Sequence, residues 1–76
     1  MTVYVTELGK LTTPARYQAE RETCFPSGTS LQWFIRTNRD KLVEGGALVQ
    51  IAGRLLVHPD KFDAVALAVG REKVAA

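Results

Sequence analysis

Two aliphatic runs, Ala-Leu-Val-Gln-Ile at 47–51 and Arg-Leu-Leu-Val-His at 54–58, are separated by only Ala52-Gly53. A gap of two residues permits antiparallel pairing across a tight turn, and Gly53 can supply the positive φ such a turn needs. A two-stranded hairpin is unstable alone in water, so one of its faces must lie on the rest of the chain. The remainder of the sequence therefore has to supply a helical layer.

The clearest helix follows Ser30. Leu31, Phe34 and Ile35 recur at i, i+3 and i+4 as one apolar stripe, with Thr29 or Ser30 as the capping residue. Its outer side is left to Gln32, Trp33, Arg36 and Arg39. This helix is expected to end near 37–38, with a polar connection through Asp40-Lys41, anchored by Leu42 and Val43, leading to Glu44-Gly45-Gly46. Upstream, Thr13 caps and Pro14 opens a first helix from 14 to about 22, with a thin inward face of Ala15, Tyr17 or Gln18, and Ala19. Pro26 and Gly28 make the stretch between these helices a turn.

Downstream, Pro59 and Asp60 start a third helix whose stripe is Phe62, Val65, Ala66 and Val69 and which Gly70 ends. Residues 1–10, with the short Val3-Tyr4-Val5 run and the Gly9-Lys10 break, read as a flexible N-terminal arm, and 71–76 as a flexible tail. The expected fold class is α+β: one domain over 11–70, three helices and a two-stranded antiparallel hairpin. Helix, turn, helix, hairpin, helix is the order of a winged helix-turn-helix.

At 76 residues the core is small and leaves little room for an enclosed active site. No apolar run approaches the roughly 20 residues of a membrane span, and the polar start lacks a signal peptide's form, so a soluble, cytoplasmic protein without membrane contact is expected. One cysteine and one histidine exclude an internal disulfide and a Cys/His zinc site, and no cofactor is expected. Cys24, beside Phe25, reads as a small buried thiol, and His58 as a strand-end or helix-start residue. A lone imidazole without a nucleophile or orienting group does not suggest an enzyme.

The net charge of +2 is informative only in its distribution. Residues 1–27 and 59–76 each balance three basic against three acidic groups, whereas between 28 and 58 Arg36, Arg39, Lys41 and Arg54 face only Asp40 and Glu44. The segment with the positive field is the one holding the second helix and the hairpin, and this suits duplex DNA. A helix fits the major groove, where Gln32 can pair with adenine and Arg36 with guanine. Ser27, Thr29, Ser30 and the amides at the helix start would serve the phosphate backbone, as would Gly53-Arg54 at the hairpin tip. Trp33 has two placements open to it: beside the apolar stripe, partly buried, or facing DNA or a partner.

The stretches Ser30-Leu31-Gln32-Trp33-Phe34-Ile35-Arg36 and Val49-Gln50-Ile51-Ala52-Gly53-Arg54-Leu55-Leu56-Val57, with Asp60-Lys61-Phe62-Asp63-Ala64-Val65 after them, resemble the recognition helix, wing and terminal helix of the excisionase-like winged helix-turn-helix family. That family shares its architecture with mercury-resistance-type regulators. The resemblance covers residues 11 to 69 and implies a small protein, often from phages or integrative elements, that binds repeated double-stranded DNA sites, bends them and directs a site-specific recombinase toward excision. By position it puts Ser30, Gln32, Trp33 and Arg36 on the groove-facing helix and Gly53-Arg54 on the wing. The family often has basic residues where this chain has Trp33 and Leu55, so fewer phosphate contacts, and a weaker or self-associating, cooperative binder, are implied. Two other readings stand beside this one: a transcriptional regulator of the same fold, and a protein-interaction module anchored by Trp33 and Leu55.

Overall fold

The computed structural model describes residues 8–75. Among these residues it is an α+β domain with four helices, α1 (Pro14–Glu20), α2 (Gly28–Thr37), α3 (Arg39–Glu44) and α4 (Pro59–Ala75), and a hairpin of β1 (Leu48–Ile51) and β2 (Arg54–Val57). The expected arm lies mostly outside the described residues, including Val3-Tyr4-Val5.

α1 starts as its sequence requires, with the Thr13 hydroxyl accepting from the Arg16 amide at 3.2 Å and Pro14 in the first turn. It ends at Glu20, two residues short of expectation, where the Arg21 amide turns back to Gln18. Its inward face is Tyr17 alone, because Ala15 and Ala19 are exposed. Cys24 is exposed as well: the turn after α1 carries it outward, and Phe25 takes the buried position. α2 begins earlier than its stripe suggests. Ser27, rather than Thr29 or Ser30, is the cap, and Ser27 and Ser30 satisfy each other's amides in a reciprocal capping box.

The segment expected as a polar connection is instead α3. Asp40 stands in its first turn, where the helix dipole favours a carboxylate, and Leu42 is fully buried while Val43 is exposed. Its end is a Schellman motif. The Gly46 amide donates to Val43 and the Ala47 amide to Leu42, with Gly46 at φ +74° and the buried Leu42 and Ala47 at the two ends of the motif.

The hairpin register pairs Leu48 with Val57, Val49 with Leu56, Gln50 with Leu55 and Ile51 with Arg54. Paired residues share a face, so Leu48, Val57 and Leu55 lie on the core and Arg54 on the outward side. Both turn residues have positive φ, Ala52 at 52° and Gly53 at 78°, as a type I′ turn demands. Thr12 adds a single bridge on the other edge of β2, exchanging both backbone hydrogen bonds with Val57.

α4 passes through Gly70 and continues to Ala75, so 71–75 are helix and not the expected tail. His58 starts it, its Nδ1 accepting from the Lys61 amide at 3.4 Å and its carbonyl from Phe62. Phe62 sits at the centre of an aromatic cluster, with ring centroids 4.6 Å from Tyr17, 5.7 Å from Phe34 and 6.1 Å from Phe25. These rings come from α1, the α1–α2 turn, α2 and α4, and so fix how α2 is presented.

Candidate functional site

With Leu31 and Ile35 buried and Phe34 packed against the core, α2 must turn its remaining side outward. Thr29, Gln32, Trp33 and Arg36 occupy that side, all exposed. Together with Pro14 and Ala15 at the start of α1 they line an open groove of about 610 Å³. Arg36 also borders a second groove of about 460 Å³ beside Asn38, Arg39, Asp40 and Lys41. One continuous strip therefore carries a Gln, a Trp and three cations, with Asp40 as its one acid.

Ser27 and Ser30 belong to this end of α2 but are committed elsewhere. The Ser27 hydroxyl accepts from the Ser30 amide, and the Ser30 hydroxyl donates to the Ser27 carbonyl at 2.8 Å. Thr29 carries the exposed hydroxyl at the helix start. Gly53 and Arg54 are exposed at the hairpin tip and border neither groove. Leu55, expected to be available to a partner, turns inward and packs on the core.

Trp33 does not pack into the core. It is 55% exposed, and the Lys73 ammonium of α4 stands 6.0 Å from its ring centroid, at the outer range of a cation–π contact. One residue earlier on α4, Glu72 pairs with Lys41 of α3 at 3.1 Å. Both partners are exposed, so the pair contributes little to stability, but it partly offsets one cation of the strip. The last turn of α4 thus borders the outward side of α2, which was not legible while 71–76 read as a tail.

A second polar cluster was also not foreseen. Arg21 grips Asp63 with two bonds, Nε to Oδ1 at 3.0 Å and Nη2 to Oδ2 at 2.9 Å, and the Tyr17 hydroxyl donates to Oδ1 at 2.6 Å. Arg21 also lies over the Tyr17 ring, 4.8 Å from its centroid. The Arg21 hydrogen bonds hold the Asp63 carboxyl below the usual carboxylate range. Burial, with Asp63 alongside, pushes the Tyr17 phenol well above its ordinary value. Each group is fully engaged by the others, and the cluster ties α1 to α4 as a structural clasp.

Among the described residues no group of three His, Cys, Asp or Glu is arranged to hold a metal, and no helix is long and apolar enough to cross a membrane. Comparison with protein families, with curated proteins and with solved structures gives no match.

Proposed function

We propose that this protein is a non-enzymatic, sequence-specific binder of double-stranded DNA with winged helix-turn-helix architecture, acting in the manner of an excisionase. α1 and α2 form the helix-turn-helix, α2 enters the major groove, and the β1–β2 hairpin is the wing. The observation that carries the reading is the outward row of α2, where Thr29, Gln32, Trp33 and Arg36 are exposed together opposite the buried Leu31 and Ile35. Gln32 and Arg36 have the donors and acceptors to read base edges, and Thr29, Arg39 and Arg54 suit phosphates. Occupying and bending adjacent sites would be the protein's contribution, and a partner recombinase would supply the chemistry.

A transcriptional regulator of the same fold would use the same surface and differ in where its sites lie, across a promoter instead of an attachment site. The reading as a protein-interaction module keeps Trp33 as an anchor but loses Leu55, which is turned to the core.

The test is fluorescence anisotropy on a mixed-sequence duplex and on DNA flanking the gene, titrated across salt. Affinity should fall steeply with salt. Arg54→Ala should weaken all sequences evenly, whereas Arg36→Ala should cost about 1–3 kcal/mol and relax discrimination at one base position. Absence of binding to either duplex at low salt, from a folded sample, would refute the proposal.

A further inference from the structure

The inward row of α4 runs Phe62, Ala66, Val69 and then Lys73, at steps of four, three and four. Phe62 and Val69 are buried and Ala66 packs on the core, yet the next position of the same row is an exposed lysine. By that point the helix has run past the core and reached the outward side of α2. The Lys73 ammonium stands 6.0 Å from the centroid of the Trp33 ring. The helix dipole favours a cation anywhere in the last turn, so it does not account for one on this row. What the row fixes is direction, and it aims the charge at Trp33.

Glu72, one residue earlier, points toward α3 and holds Lys41 at 3.1 Å. Lys41 lines the same groove as Arg36 and Arg39, and is therefore one of the cations of the strip. A carboxylate oxygen on that ammonium takes the place a phosphate oxygen would take. Both side chains are more than half exposed, so the pair is weak and an incoming phosphate can displace the carboxylate.

A helix lying in the major groove has base edges before it and a phosphate backbone along each margin. Trp33 belongs to the row that would face the groove, and Lys73 reaches that row from a neighbouring helix. It therefore stands at the margin, where phosphates are.

Resting on the DNA reading above, we propose that the last turn of α4 is a third part of the interface, beside α2 and the hairpin. Lys73 contacts a phosphate at the edge of the groove, with the Trp33 ring steadying its side chain. Glu72 acts in the opposite sense: it occupies Lys41 in the free protein and must release it when DNA binds. The two neighbours thus set the charge of the strip, one adding a cation and the other withholding one.

Anisotropy on the mixed-sequence duplex, titrated across salt, reads both effects. Lys73→Gln should bind about three- to tenfold more weakly near about 0.1 M salt, with the slope of log affinity against log salt shallower by about 0.9, as expected for one lost phosphate contact. Lys73→Arg should keep the parent slope. Glu72→Gln should bind about two- to fivefold tighter, because Lys41 is then free. Arg71→Gln is the control for net charge: two residues turn a helix by about 200°, so it removes a cation from the opposite side of α4 and should leave the slope near that of the parent. A Lys73→Gln protein with the parent slope, an equal shift in Arg71→Gln, or a Glu72→Gln protein that binds no tighter would each overturn the proposal while DNA binding itself stands. A folded parent that binds no duplex would instead refute the DNA reading, and the proposal with it.

Discussion

Asp63→Ala is the most demanding test of how this domain holds its helices together. Tyr17 is 1% exposed, and its hydroxyl would lose its acceptor, a loss of about 1–3 kcal/mol for a polar group left buried without a partner. The two bonds from Arg21 would go as well. With the Arg21 and Asp63 side chains 29% and 38% exposed, solvent screens that pair, and about 0.5–1 kcal/mol is the appropriate share. The sum, about 1.5–4 kcal/mol, is a large part of the roughly 4–11 kcal/mol expected for a chain of this length. It should appear in urea unfolding at neutral pH as a lower midpoint with an unchanged slope.

The acid limb gives an independent check. The Asp63 carboxyl titrates below its unfolded value because Arg21 bonds to it. Its contribution is therefore complete above about pH 4 and is lost as pH falls through the lower folded value. Asp63→Asn keeps an acceptor for Tyr17 but removes this titration, so it should flatten the acid limb. At the other end the raised Tyr17 phenol contributes fully below about pH 10, and that contribution is lost as pH rises through the folded value. A cost for Asp63→Ala under about 0.5 kcal/mol, within the range of ordinary surface substitutions, would refute the clasp between α1 and α4.

Three further outcomes are expected. Ala52 holds φ +52°, which costs a residue with a Cβ roughly 1 kcal/mol, so Ala52→Asn should raise the melting temperature by a few degrees in calorimetry; no rise would contradict the type I′ turn. Ser27→Ala removes the cap of α2 and should cost about 1 kcal/mol in urea unfolding, against no change if the capping box is idle. Phe34→Ala deletes a ring 5.3 Å from Phe25 and 5.7 Å from Phe62, and should cost about 3–5 kcal/mol, enough to unfold much of the population; a fully folded variant would mean that α2 faces the other way.

Much of the candidate site was legible because it is the complement of a stripe. Once Leu31, Phe34 and Ile35 face inward, helical geometry leaves Gln32 and Arg36 outside, whereas Trp33, at the margin of the stripe, had two placements open and only the structure turned it outward. The hairpin was legible for a similar reason, since a two-residue gap ending in glycine restricts the chain locally. Thr13-Pro14 and Pro59-Asp60 marked helix starts through φ and capping, which are also properties of neighbouring residues.

The rest required residues far apart in the chain to meet. α3 has only six residues, too few to show a period, and it is held by burial of Leu42 and by the Schellman turn at Gly46. Thr29 and Ser30 looked as fit to cap α2 as Ser27, and only hydrogen-bond geometry chose between them. Gly70 carried the ordinary signal of a helix end, yet the helix continues past it, and Lys41 and Trp33 each meet a side chain from its last turns. Tyr17 and Arg21 lie more than 40 residues from Asp63, and no local spacing announces such a clasp. Sequence by itself determined where the chain turns, which helix has two unlike sides and which face of that helix is available, because φ preference, capping and periodicity act over a few residues. Tertiary structure alone decided which single side chain of α1 is buried, that α4 borders the outward side of α2, and that Tyr17 and Arg21 close on Asp63, because those follow from the direction in which packed aromatic rings aim each helix.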